Sequence, residues 1–473
     1  MLRFLGGERA LLRRLSTPSH SNLQLRDGSK VAVVGGGPAG AFFSYFLLKL
    51  AARLDLRLEV EIFEPRYFNH FGSAGCNHCG GVISEWLVQL LALEGINLPP
   101  DVVQRGIDAY MLHTDVGSVR IETPLHEKRI ATVYRGGGPG GLKQADWRSF
   151  DQFLLDLAIS KGVHVRHELV NEVSWRDGYP HITSPAGLGK TYDLLVLASG
   201  VNSQLLERIE SCGFGFRRPR TATTFISEFH IGQEKIQQSL GSAMHVFLLD
   251  IPRLKFAALI PKMGFVTMVL LGKNIDERLV QTFLNAPEVK RLLPPGVEGD
   301  RLASCHCFPN INVGGVGQPF ADRLLCIGDS GVARLYKDGV GSAYRTAKAA
   351  ANAAILGGLS TSDFRRHYWP VCRKIAIDNT IGAIVFWVTG IFQSVRFMRR
   401  AMIRMTLAEQ GMKQTHRCMS TTLWDMFSGS APYLEIFLRC LTLGFLARLT
   451  GNLMWALVFI AYKSIFLGKG HED

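Results

Sequence analysis

A chain of 473 residues has room for two to four domains, and 47% hydrophobic with 20% charged residues excludes a disordered or fibrous protein. Lys and Arg number 53 against 40 Asp and Glu, a formal net charge of +13 that favours an anionic partner. No zinc-finger, helix-turn-helix or RNP pattern is present, which excludes nucleic acid as that partner, and the nine cysteines lack disulfide-framework spacing and point to a reducing, cytoplasmic compartment.

The first twenty residues carry Arg3, Arg9, Arg13 and Arg14 against one acid, Glu8. They read as part of a plain basic extension over 1–28 rather than a secretory or organelle leader. Residues 30–34 (KVAVV) then predict a buried strand entering Gly35-Gly36-Gly37-Pro38-Ala39-Gly40, with an apolar helix over 41–56 and a second strand over 58–63 that closes on Glu64. Strand, glycine turn, helix, strand and acid in this order form a dinucleotide-binding fingerprint. Gly35, Gly37, Ala39 and Gly40 are its candidate phosphate-turn residues: Gly35 for the tight turn, Gly37 for close backbone approach to a pyrophosphate, Gly40 for helix packing on strand. The helix N-terminus turns its N–H groups and positive dipole end to the phosphates, and Glu64 is placed to accept from ribose hydroxyls.

Next come Cys76-Asn77-His78-Cys79-Gly80-Gly81-Val82-Ile83, a glycine cluster from Arg135 to Gly141, and Trp147-Arg148-Ser149-Phe150-Asp151. The glycine cluster lacks the Gly-Lys-Ser/Thr close of a P-loop and is expected to be a flexible loop. Buried strands are expected at 192–197, ending in Ala198-Ser199-Gly200, and at 323–327, ending in Gly328-Asp329-Ser330-Gly331. Short alternating runs at 221–227, 244–249, 256–260 and 265–270 predict a largely antiparallel sheet between them. Tyr336-Lys337-Asp338-Gly339-Val340-Gly341 leads into a helix over 344–356.

Composition changes beyond Pro370. Residues 381–392 are apolar apart from Thr389, and Arg396, Arg399, Arg400 and Arg404 follow; over 371–420 eight Lys/Arg face two Asp/Glu. Apolar runs recur at 433–449 and 453–462. None reaches the roughly twenty uninterrupted apolar residues of a spanning helix. Apolar helices with basic flanks are expected to lie on an anionic membrane surface; the competing reading is a helical cap on the protein or a dimer.

With Arg148 and the Gly328-Asp329 strand end, the fingerprint resembles the para-hydroxybenzoate hydroxylase superfamily of FAD proteins over about residues 30–370. That resemblance implies an α/β fold: a doubly wound, Rossmann-like FAD-binding domain with an inserted antiparallel substrate sheet; the α-helical C-terminal region, without a counterpart in the reductases, is read from its composition alone. It implies that Arg148 meets the FAD phosphates, that Asp329 beside Gly328 holds the ribityl chain, and that the sheet roofs the substrate cavity. Cys79-Gly80-Gly81-Val82-Ile83 is similar to the Cys-Gly-Gly motif of the geranylgeranyl reductases. The turn through Gly339 and Gly341 stands where that family has a Gly-rich turn facing the flavin pyrimidine ring, with Lys337-Asp338 departing from the family's Gly-Glu-Gly-Ile. The expected domains are the extension 1–28, the FAD domain 29–215 with 310–370, the substrate sheet 216–309, and a membrane-associated tail 371–473, the first and last of these read from composition.

The expected function is FAD-dependent reduction of carbon–carbon double bonds in an isoprenoid or other lipid, charged by transiently bound NAD(P)H or another electron donor. Cys79, Lys337 and Tyr336 are the candidate proton donors. For Cys76 and Cys79 the readings are an apolar cavity wall, a shaping role for Cys79 in the alkene pocket, a redox dithiol, or a zinc site with His78, Cys305, His306 and Cys307; no metal is expected. The alternatives to the reductase are a flavin monooxygenase, a membrane quinone oxidoreductase, and a non-catalytic prenyl-lipid escort.

Overall fold

The computed structural model describes residues 23–123, 130–140, 142, 144–187, 189–294, 303–413 and 416–466. Most of the basic extension, and Gly141 of the glycine cluster, lie outside them. The chain forms two compact units. One takes the residues up to His70, Arg148–Thr221 and Asn310–Ile377; the other takes Phe71–Trp147, Ala222–Pro309 and the residues from Asp378 on.

In chain order, β1 (Lys30–Val34), α1 (Pro38–Arg53) and β2 (Glu59–Phe63) open the first unit. β3 (Ala109–Thr114), β4 (Gly117–Glu122) and β5 (Ile130–Val133) belong to the second, and α2 (Phe150–Ile159), β6 (His164–Arg166) and β7 (Leu194–Leu197) to the first. β8 (Arg220–His230), β9 (Ala243–Phe247), β10 (Leu254–Pro261), β11 (Phe265–Gly272) and β12 (Ala303–Cys307) build the sheet of the second unit. β13 (Phe320–Ala321), β14 (Leu324–Cys326) and α3 (Gly339–Asn352) complete the first. The tail is α4 (Trp369–Ser394), α5 (Arg396–Gln410), α6 (Cys418–Ser428), α7 (Tyr433–Cys440) and α8 (Leu443–Phe466).

The sheet of the first unit runs β13-β14-β7-β1-β2-β6, parallel throughout except at the β13 edge. Its central strands read as unbroken apolar runs because both faces are covered: Val31, Ala32 and Val33 of β1 and Leu194 to Leu197 of β7 are all fully buried. Pro38 stands in the first turn of α1, where its missing N–H costs nothing. The helix is buried nearly all round, and Tyr344 of α3 packs edge-on against its Phe42 and Phe46, with centroids 5.5 Å away in both cases.

The second unit's sheet runs β12-β8-β11-β10-β9-β3-β4. The expected antiparallel pairing holds from β12 to β9, but β9 joins β3 in parallel, Ala243 to Phe247 opposite Ala109 to His113. Residues 71–147, placed by the sequence reading with the FAD half, thus belong to the second unit; 109–122 extend this sheet, while 82–83, 103–107 and 130–133 pair in a small sheet of their own. Its apolar face includes Phe225, Phe229, Leu259, Val266 and Met268.

The tail holds a helix longer than its uninterrupted apolar run. Helix α4 is 26 residues long and meets the length and composition of a spanning helix, with only 11% of its apolar window buried. The sequence reading began the run at Ile381, after Asp378. That carboxylate is no break: it caps α7, accepting from the Tyr433 and Leu434 amides at 3.0 Å each.

Candidate functional site

In the first unit the fingerprint residues meet as a tight turn. Gly35 has φ +109°, and a Cβ there would collide with the Ala198 carbonyl; a Cβ on Gly40 would collide with the carbonyl of Gly35. Gly37 ends the turn in extended backbone, and no side chain among the described residues caps the N-terminus of α1. A Cβ on Gly328, at φ +58°, would lie 2.7 Å from Ala39 Cβ, so the end of β14 abuts the start of α1. Asn312 fixes that turn by donating to the carbonyls of Asp329 (3.1 Å) and Gly331 (3.0 Å).

Glu64 is buried, and its carboxylate accepts from Gly36 N (3.0 Å), Arg66 N (3.1 Å) and Arg66 Nε (2.9 Å). A ribose hydroxyl would compete with the Arg66 guanidinium, a partner the sequence reading missed. Arg148 precedes α2, lies 3.8 Å from Asp156 and rests on Phe153. Ser199 Oγ, at the carboxyl end of β7, is buried with no hydrogen-bond partner among the described residues. Ligands of parallel sheets bind at the carboxyl ends of strands. A stranded hydroxyl, an uncapped helix start and two glycine close approaches fit a dinucleotide there.

The turn into α3 is conformationally costly. Tyr336 (φ +61°) and Asp338 (φ +55°) both adopt left-handed backbone within three residues, at roughly 1–3 kcal/mol each. Gly339 opens the helix; a Cβ on Gly341 would strike the Asp338 carboxylate, which pairs with Arg345 at 3.5 Å. Lys337 is packed round by protein while keeping some contact with solvent, and burial pushes its ammonium pKa down to about 7.

The second unit carries a cavity of about 60 Å³, whose lining includes Cys76, Cys79, Tyr134, Glu228, Lys262, Cys305 and Cys307. In the Cys-Gly-Gly turn, Gly81 admits no side chain: at φ +71° its Cβ would strike the Val133 carbonyl, whereas a Cβ on Gly80 would press on Ile260 Cδ1 at 3.0 Å. The glycine cluster laces onto it through Gly72 N to Gly138 O (2.9 Å) and Asn77 N to Arg135 O (3.2 Å).

Sheet register supplies the rest. Glu228 of β8 lies opposite Cys305 on one side and Thr267 on the other, while Cys307 is opposite Ile226. Residues two apart share a strand face, so both thiols of β12 face the same way. Lys262, its side chain 1% exposed, donates to Glu228 Oε1 at 2.7 Å; Thr267 Oγ1 donates to the same atom at 2.9 Å. The ammonium also lies 4.0 Å over the Tyr134 ring, whose hydroxyl is buried without a hydrogen-bond partner among the described residues.

Burial pushes the Cys76 thiol up, Cys305 to about 11 and Cys307 to about 12, so these are protonated thiols. That disfavours the redox-dithiol reading, which needs a thiolate. Among the described residues no group of three or more His, Cys, Asp or Glu side chains is arranged to hold a metal ion.

The three proton-donor candidates are divided: Cys79 lies in the second unit, Tyr336 and Lys337 in the first. Missed altogether were Glu228, Lys262 and Tyr134. The available signal was Glu228 itself, an acid in the middle of the apolar run Phe225-Ile226-Ser227-Glu228-Phe229.

No protein-family model matches this chain, and no curated protein matches it. Solved structures do. A geranylgeranyl bacteriochlorophyll reductase-like protein from Thermoplasma acidophilum is 14% identical with a TM-score of 0.60, covering 91% of this chain and 100% of its own. The flavin-dependent halogenase CmlS is 16% identical at TM-score 0.56, covering 87% of this chain and 76% of its own. A flavoprotein/dehydrogenase from Cytophaga hutchinsonii is 13% identical at TM-score 0.54, covering 85% and 93%. At such identities the likeness shows the fold: a mixed α/β architecture shared with geranylgeranyl reductase-like and other flavoproteins.

Proposed function

We propose that the protein is an FAD-dependent oxidoreductase that reduces carbon–carbon double bonds of an isoprenoid or similar lipid. The observation that carries the cofactor assignment is the first unit's β1–glycine turn–α1–β2–Glu64 arrangement, with Gly328 abutting Ala39 and the Ser199 hydroxyl unpartnered. On this reading the α1 N-terminus and Arg148 hold the pyrophosphate, Glu64 a ribose, Asp329 the ribityl chain, and Gly339 and Gly341 line the pyrimidine edge. When bound, the flavin supplies hydride transfer, recharged by NAD(P)H or another donor.

The chain's own residues supply the proton. Saturating a double bond needs one at the second carbon, and Lys262 Nζ, at the wall of the second unit's cavity and held in place 2.7 Å from Glu228 Oε1, is the donor we assign there. Lys337 Nζ, with its pKa near 7, exchanges a proton at neutral pH. The thiols of Cys76, Cys305 and Cys307 give the cavity a soft, protonated wall suited to an apolar ligand.

The test is the visible absorption spectrum of the purified full chain. A flavin band bleached by dithionite and restored without air by an unsaturated isoprenoid supports the reductase. Restoration by oxygen alone, with one oxygen in the product, establishes the monooxygenase. Anaerobic restoration by a quinone alone points to the quinone oxidoreductase, and a colourless protein that refuses added FAD leaves the lipid escort.

A further inference from the structure

Large apolar side chains exposed among the described residues concentrate in the tail, and they follow the helical repeat. On α4, Ile384, Trp387 and Val388 are exposed at i, i+3 and i+4, Trp387 at 67%. On α7 the exposed set is Leu434 and Leu438, with Leu441 just after the helix, at i, i+4 and i+7. On α8, Leu443, Leu446, Met454 and Val458 continue the pattern, Leu443 at 86%. Each helix therefore turns one apolar stripe outward, an inversion of the usual arrangement. The helices adjoin: Gly382 and Phe386 of α4 pack on Tyr433 of α7, and α7 meets α8 at a 65° bend.

Two basic residues border α8. Arg404 of α5 is exposed and stacks on Trp455 of α8 at 3.8 Å, and Arg400 lies over Phe459 at 5.0 Å. Arg399, grouped with them in the sequence, has another role. It is 3% exposed, paired with Asp115, and donates to the Gln393 carbonyl.

We propose that α4, α7 and α8 dock the protein on an anionic bilayer, lying in the boundary between head groups and acyl chains with these stripes inserted. A second copy of the chain would match the apolarity but would set the arginine border against its own like charges, whereas anionic lipid complements both features. A spanning α4 is disfavoured by its C-terminal end. Gln393 Nε2 donates to the carbonyls of Leu249 (2.7 Å) and Leu254 (3.1 Å), which ties the helix to a loop carrying Asp250 and Arg253. Crossing would draw that polar loop toward hydrocarbon. The inference does not rest on the proposed chemistry, since docking is read without turnover.

The test is co-sedimentation of the full chain with phosphatidylcholine vesicles, with and without phosphatidylserine. The protein is expected to sediment with the anionic vesicles and at least about ten-fold more weakly with the neutral ones. Trp387→Glu, Leu438→Glu and Val458→Glu should each weaken binding about ten-fold or more, with far-UV circular dichroism unchanged. Leu93→Glu, a replacement at an equally exposed site (81%) away from the tail, should leave it unaltered. Arg404→Gln should cost about five-fold on anionic vesicles only, and Arg404→Lys should restore it. Equal binding by the Leu438→Glu protein overturns the proposal. So does a wild-type dimer, blind to vesicles, that this variant converts to monomer. Wild-type protein that resists alkaline carbonate extraction from vesicles would mean the helices cross, and the interfacial placement is then wrong.

Discussion

Replacing Lys262 by methionine isolates the energetics of the cavity. The ammonium and the Glu228 carboxylate are 2.7 Å apart, with side-chain exposures of 1% and 12%. At an effective dielectric of 20 their attraction is about 6 kcal/mol, offset in the native protein by the cost of desolvating both groups. A methionine side chain would fill much of the lysine stem's volume, so the dominant effect is a buried carboxylate that keeps only the Thr267 hydroxyl as donor. Breaking such a pair from one side costs about 3–5 kcal/mol, or roughly 6–10 °C in Tm for a unit of this size. Adding Glu228→Gln removes the stranded charge while leaving an amide oxygen for Thr267, so the double variant should recover at least half of the loss. Scanning calorimetry of wild type, both single variants and the double variant closes the cycle. A Lys262→Met loss below about 1 kcal/mol, or a double variant as unstable as the sum of the singles, would falsify the buried-pair argument.

Three further outcomes are expected. His113 and His245 are buried, with Nε2 of His113 2.9 Å from Nδ1 of His245, and burial lowers their pKa values to about 3 and about 4. Because the unfolded chain protonates first, the stability they confer is complete above about pH 6.5 and is lost as pH falls toward 3, by about 2 kcal/mol per histidine at pH 5; His245→Gln should flatten the fall in Tm between pH 7 and 5. Tyr134→Phe removes a buried hydroxyl with no partner among the described residues and should raise Tm, by about 1 kcal/mol of stability; a lower Tm would show that the hydroxyl is satisfied in solution. Gly40→Leu drives a side chain into the Gly35 carbonyl and should yield protein without bound flavin, checked by absorbance after gel filtration.

The parallel sheet was legible because its strands are buried on both faces: KVAVV at 30–34 matches β1 residue for residue. Helix α1 starts three residues earlier than its apolar run, since Pro38 fits the first turn and extends the helix backward. The cavity was not legible. Glu228, Thr267 and Cys305 are neighbours only through the register of β8 between β11 and β12, which no local pattern encodes. The parallel β3–β9 pairing was hidden for the same reason, its partners lying more than a hundred residues apart. In the tail, composition revealed apolarity and arginines alike, but only packing separates Arg399, tied to Asp115, from Arg400 and Arg404 beside α8.

The strand order of the first unit also sets a timetable for the nascent chain. β1, α1 and β2 are made early, yet β7, the neighbour of β1, pairs on its other side with β14, which begins at Leu324. Between Phe63 and Leu324 the ribosome must add roughly 260 residues, which at about 5–20 residues per second takes on the order of tens of seconds. Throughout that interval the apolar residues of β1 and α1 have no finished sheet to bury them. Chains arrested before Leu324 should therefore be held by chaperones at the first unit, and those extended past Ile377 should have that unit's sheet buried.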